Sequence, residues 1–188
     1  MSAGRDRSRV PAVAGGTPVR ERPLAFFRAS ITDEDVAAVV EALRSGWLTV
    51  GPRTEQFEGM LGDYLGVAHA VAVSSCSEAM FLSLRALGVG PGHEVVTSAN
   101  TFASTVSAII HTGATPVLAD IDPVTLGPDP DDMARRVSAA TGALLPVHFG
   151  GQACRIADVI DLAARHGVPV VEDAAHGFGA AVGDRLLG

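Results

Sequence analysis

The 188-residue chain contains no lysine; all 14 of its basic residues are arginine. A P-loop of the GxxxxGK[ST] kind is therefore excluded, and the α-amino group of Met1 is the only primary amine. Cysteine is scarce too. Cys76 and Cys154 lie far apart and form no CxxC motif, so no disulfide scaffold is expected and reduced thiols fit the cytosol. No apolar run reaches transmembrane length. Arg5, Arg7 and Arg9 are not followed by an apolar core, so no signal peptide is expected. The arginines form no basic stripe and the net charge is −7, which argues against nucleic acid as a partner. The six histidines, at 69, 93, 111, 148, 166 and 176, show no HExxH or similar spacing, so no metal site is expected. These absences describe a cytoplasmic protein that works without membrane or nucleic acid.

What is present is ordinary for a globular domain: 47% apolar and 19% charged residues. A chain of this length buries roughly 70% of its unfolded surface. Residues 1–23, rich in Arg, Gly, Pro and Ala without periodicity, read as a flexible N-terminal arm. Residues 24–188 read as one domain. A helix is expected over 33–45, with Thr32 as cap, Asp35 three residues on, and Gly46 ending it. A second helix is expected over about 54–64, with Phe57, Met60, Leu61 and Leu65 inward. The pattern then alternates. Strands are expected at 69–73, 94–97, 115–119, 143–147 and 168–171, and helices at 77–87, 102–111, 130–138 and 156–166. Short apolar strands between amphipathic helices signal βαβ units and a parallel sheet. Residues 178–188 read as a hairpin turning at Gly183-Asp184. The chain stops in mid-pattern rather than in a polar linker, so a truncated domain is expected.

Three constellations carry possible chemistry. The first is Ser74-Ser75-Cys76-Ser77-Glu78-Ala79, where a strand runs through a small polar turn into a helix. Free N–H groups and the helix dipole favour phosphate there; a plain N-cap is the competing reading. The second is Glu172-Asp173-Ala174-Ala175-His176 at the carboxyl end of an apolar strand, the edge where open α/β sheets bind ligands. One carboxylate there suits a protonated pyridine nitrogen; a capped strand end with a solvated Glu172 is the alternative. The third is the segment from Thr97 to Thr105, which also follows a strand and opens a helix. Phe102 within it suits stacking on a flat heteroaromatic ring, or simple core packing. Cys154 and His148 are near neighbours, but no third partner suggests a thiol protease.

In order along the chain, these motifs resemble the DegT/DnrJ/EryC1/StrS family of pyridoxal-phosphate-dependent sugar aminotransferases. The resemblance runs from about Phe27 to Gly188. Its carriers are Gly46-Trp47-Leu48-Thr49-Val50-Gly51-Pro52; Ser74 to Ala79 with Gly88-Val89-Gly90-Pro91-Gly92-His93-Glu94-Val95; and Asn100-Thr101-Phe102. Further on come Pro116 to Pro123, Pro146-Val147-His148-Phe149-Gly150-Gly151-Gln152, and Glu172 to His176. The resemblance implies the large domain of PLP-dependent transferase fold type I, a three-layer α/β sandwich with a mainly parallel sheet, in a truncated form. It also implies a homodimer, with pyridoxal 5′-phosphate at the carboxyl ends of the strands.

Carried over by position, Cys76 and Ser77 would meet the cofactor phosphate, Phe102 would stack on the ring, and Asp173 would pair with the ring nitrogen. His176 would stand beside the ring hydroxyl. The family's Schiff-base lysine has no counterpart in the chain, and the resemblance places it shortly past Gly188. The implied whole enzyme is an aminotransferase of a keto sugar in nucleotide-linked form, with glutamate or glutamine as amino donor. The chain alone is expected to be inactive. The alternatives are a sugar dehydratase of the same family, in which a histidine replaces the lysine, and a non-catalytic remnant or half of a split enzyme that binds a partner chain.

Overall fold

A computed structural model of the chain describes residues 10–25 and 27–188. They fall into two compact units, up to Gly51 and from Pro52 onward. Of the arm expected over 1–23, residues 1–9 lie outside the described part; the remainder holds one 3-10 turn at Ala12–Ala14.

In the first unit, helix α1 spans Asp33–Ser45. Thr32 and Asp35 form a reciprocal capping box, and Gly46 closes the helix at φ 73°, a left-handed conformation that glycine adopts without a Cβ penalty.

The second unit opens with α2 (Pro52–Leu65), followed by α3 (Cys76–Ala86). Then β1 (Glu94–Ser98), α4 (Ala103–His111), β2 (Thr115–Ala119), α5 (Pro130–Arg136) and β3 (Thr141–Leu145) alternate. Helix α6 (Ile156–His166) and an antiparallel hairpin of β4 (Ala181–Val182) and β5 (Arg185–Leu186) complete the unit. The hairpin turns at Gly183-Asp184, as the sequence suggests.

Strand order is β2-β1-β3, all parallel. Adjacent residues of a strand face opposite sides of the sheet, and the core divides accordingly. Val95, Ala143 and Leu145 pack with Met80 and Leu84 of α3 and Ala108 and Ile109 of α4. Val96 and Leu144 pack with Met133 of α5 and Ile156, Val159, Leu162 and Ala163 of α6. The result is the expected three-layer α/β sandwich. The α6 stripe has helical spacing, and Gly167 ends it in the left-handed region.

Three local expectations need correction. Residues 69–73 form no strand. A strand exists only by pairing, and the Ala72 N–H instead donates to Glu58 Oε1 at 2.7 Å. Residues 168–171 run parallel beside β3 but make only isolated bridges, Leu144 with Val170 and Val147 with Asp173. Pro146 and Pro169 supply carbonyls to this pairing but have no N–H, so the ladder is interrupted. In α2, Phe57 and Met60 are exposed rather than inward, and no residue of the helix is fully buried. Tyr64 of the same helix instead meets Phe178, ring centroids 5.4 Å apart.

Candidate active site at the carboxyl edge of the sheet

Three chain segments reach the carboxyl edge together. The residues after β1 lead into α4, those after β3 form the loop from Pro146, and the segment beside β3 ends at Asp173. The first turn of α3 faces them. Between them lies a cleft of about 340 Å³, lined by Cys76, Ser77, Phe102, Asp173 and His176, with Met80, Thr101, Ser104, Val147, His148, Phe149 and Ala175. All five residues singled out in the sequence therefore meet in one cavity, although 100 positions separate the first from the last.

Helix α3 brings its N-terminus to this cleft. Ser75 is the N-cap, and its side chain accepts the Glu78 N–H at 3.2 Å. The cap reading is thus correct for Ser75. It leaves the N–H groups of Cys76 and Ser77, which have no acceptor within the helix, directed with the positive end of the dipole. Phe102 is the N-cap residue of α4 rather than its first helical residue; the residue is 77% exposed, at the cleft rim.

Asp173 is the buried carboxyl of the cleft, 5% exposed. Its Oδ2 accepts the Thr105 hydroxyl at 2.8 Å, and Oδ1 accepts the Ala175 N–H at 3.2 Å. The Cys76 thiol lies 3.8 Å from Oδ1. Burial first, then the charge and hydrogen bond of Asp173, push the Cys76 thiol up, so Cys76 is a weak donor and no ready thiolate.

Hydrogen bonding assigns the tautomers of two histidines. Nδ1 of His148 accepts the Cys154 N–H at 3.3 Å, and Nε2 lies 3.0 Å from Glu172 Oε2. A ring that accepts at Nδ1 carries its proton at Nε2, so His148 donates to Glu172. Nδ1 of His176 likewise accepts the Gly150 N–H at 3.2 Å, which leaves its Nε2–H as a donor on the exposed side. Glu172 also pairs with Arg185 at 2.9 Å. It is therefore not the solvated strand cap considered from the sequence. The His148 hydrogen bond, helped by Arg185, holds its carboxyl below the usual range against the opposing effect of burial. Cys154 beside this network is inert: burial, then the charge of Glu172, pushes its thiol up to about 12.

Sequence reasoning missed Thr105, Thr101 and the His148–Glu172–Arg185 set. The four-residue spacing of the two threonines at a helix start was a usable signal. Nothing local marks Glu172 as the partner of His148, 24 residues away.

The donor set fits one kind of ligand well. It combines anion-binding N–H groups, an aromatic rim, a buried carboxylate and an imidazole donor, which together suit a flat phosphorylated heteroaromatic cation.

Comparison with known proteins agrees. Over 158 residues the chain is 49% identical to the spore coat polysaccharide biosynthesis protein SpsC of Bacillus subtilis (strain 168), covering 84% of this chain and 41% of SpsC. The fold matches DesV of S. venezuelae, solved with a ketimine intermediate, at a TM-score of 0.74 and 40% identity, covering 77% of this chain and 39% of DesV. It also matches NtdA of Bacillus subtilis, solved with bound PMP, at 0.76 and 37% identity, covering 79% and 35%. The chain thus spans about two-fifths of the length of these relatives. The profile of one family covers residues 29–188, the stretch that holds every residue of the cleft. By this match and the fold, the chain belongs to the DegT/DnrJ/EryC1/StrS aminotransferase family.

Proposed function

We propose that this chain supplies the cofactor cradle of a pyridoxal-5′-phosphate-dependent aminotransferase that aminates a keto sugar, in the nucleotide-linked form. The observation that carries this reading is the convergence of Cys76, Ser77, Phe102, Asp173 and His176 on one cleft. When bound, the cofactor supplies an amino-group carrier and an electron sink.

The chain's residues divide that work. The N–H groups of Cys76 and Ser77, with the Ser77 hydroxyl, hold the phosphate at the α3 dipole. Phe102 covers one face of the ring. Asp173, its two oxygens anchored by the Thr105 hydroxyl and the Ala175 N–H, would accept the N–H of the protonated ring nitrogen. His176 donates Nε2–H toward the ring hydroxyl. The amine that links the cofactor covalently comes, in this reading, from residues outside these 188, because none of them is lysine. The alternatives are a sugar dehydratase of this family, decided at a position beyond Gly188 where a histidine replaces the lysine, and a non-catalytic remnant or half of a split enzyme that binds a partner chain. The assembled form in the main reading is a cytoplasmic homodimer, or a pairing with the chain that carries the lysine. The amino donor is glutamate or glutamine.

Titration of the chain with pyridoxamine 5′-phosphate, followed by ring fluorescence, tests the cradle. Saturable binding is expected, weakened by Ser77→Ala at the phosphate and by Asp173→Asn at the ring nitrogen. Binding indifferent to both substitutions would remove the assignment. Amine transfer against dehydration of a nucleotide-linked keto sugar, in a form that includes the lysine-bearing portion, separates the two readings.

A further inference from the structure

Asp173 does not hold its position alone. Thr105, fully buried on the inner face of α4, donates to Asp173 Oδ2 at 2.8 Å. The Thr105 hydroxyl also lies 2.7 Å from the Thr101 hydroxyl. A hydroxyl has one proton, and in the Thr105–Asp173 bond the hydroxyl donates and Oδ2 accepts. The Thr105 proton is therefore committed to Asp173, and Thr101 donates to Thr105. The two contacts form a directed chain, Thr101 to Thr105 to Asp173.

Oδ1 is held from the other side by the Ala175 N–H and the Cys76 thiol. With both oxygens anchored, rotation about the carboxylate is blocked. Thr105 belongs to the turn that carries the aromatic rim, since its N–H donates to the Phe102 carbonyl at 3.0 Å. One helix start thus sets both the ring platform and the carboxylate.

We propose that Thr105 is the positioning residue of this site: through a proton directed by Thr101 it fixes the orientation of Asp173 toward the ring nitrogen of the cofactor. The proposal rests on the cofactor reading above. Thr105 touches no ligand in this role and acts through Asp173. The same bond, with the Ala175 N–H on the other oxygen, fixes which way the carboxylate lone pairs point.

Pyridoxamine 5′-phosphate is the probe, added to the full chain. Its fluorescence gives affinity, and its absorbance against pH gives the protonation of the bound ring nitrogen. Thr105→Val preserves shape and branching and removes the proton; Thr105→Ser preserves the proton. Thr105→Val is expected to weaken binding about tenfold, the scale of one hydrogen bond to a charged group, and to shift the ring-nitrogen titration. Thr105→Ser should keep both close to the parent, and Thr101→Val should move both less, in the same direction as Thr105→Val. Equal losses in the Val and Ser variants, or an unchanged titration in Thr105→Val, overturn the proposal. If Thr105→Val does not fold, the Ser and Thr101→Val variants decide by the same two readouts.

If the parent binds no probe, the cofactor reading fails on that result, and the relay is judged without ligand. Thermal unfolding of Thr105→Val, Asp173→Asn and the double variant then decides. Non-additive effects support the relay, and additive effects overturn it.

Discussion

The buried imidazole of His148 donates to Glu172, Nε2 to Oε2 at 3.0 Å, while Arg185 holds the other carboxylate oxygen. One side chain thereby joins the loop after β3, the segment that ends at Asp173, and the β4–β5 hairpin.

Because these contacts hold the Glu172 carboxyl below its usual range, they link stability to pH. A depressed acid stabilises above the unfolded value, about 4.3 for glutamate, and loses that contribution as pH falls through the folded value. Melting temperatures from pH 7 down to pH 3 should fall more steeply for the parent than for Glu172→Gln. Parallel curves would show that the network contributes nothing to folding.

Asp132, on α5, offers a second acid-sensitive point. The Asp120 N–H first, then Arg136 and Arg135, hold its carboxyl down to about 2. Its contribution is present above the ordinary aspartate value, about 3.9, and fades between there and the folded value. Asp132→Asn should destabilise the protein at pH 7 and narrow its gap to the parent at pH 2.

The two thiols should separate under alkylation. Iodoacetamide at pH 8 is expected to label exposed Cys76 slowly and Cys154 not at all, read by peptide mass spectrometry. Asp173→Asn removes a charge that raises the Cys76 thiol, so labelling there should accelerate. Saturating pyridoxamine 5′-phosphate should protect Cys76 in the parent.

Incubation with pyridoxal 5′-phosphate and borohydride should leave no pyridoxyl group on any side chain, since the chain has no lysine. Label at the α-amino group of Met1 is consistent with this outcome. Stoichiometric label at an internal residue would contradict it.

Gly127 tests packing behind the cleft. A Cβ there would stand 2.5 Å from Cys154 Cβ and 3.1 Å from the Val147 carbonyl oxygen. Gly127→Ala should cost about 1–3 kcal/mol by denaturant unfolding, as overpacking of a tight interior does. Leu144→Ala, on β3 and fully buried, should cost about 2–5 kcal/mol through the opposite defect, a cavity.

Much of this architecture is local and therefore written in the sequence. Thr32 with Asp35, Pro130 after Asp129, and the stripe Ile156, Val159, Leu162 and Ala163 each act within a few residues, so caps and helical faces follow from spacing alone. The cleft residues were legible for the same reason: each lies where a short apolar segment gives way to a helix or loop, and the carboxyl edge of a parallel sheet is where ligands bind.

Tertiary structure decided what depends on distant partners. Residues 69–73 have strand-like residues but no strand beside them, and the segment from 168 pairs only where Pro146 and Pro169 permit. Thr105 reaches Asp173 across 68 positions, and His148 reaches Glu172 across 24. No spacing rule links such pairs, because the chain between them is free to adopt many paths. They meet only because the apolar faces of the sheet must be covered by α3 and α4 on one side and α5 and α6 on the other. That covering fixes which loops share an edge.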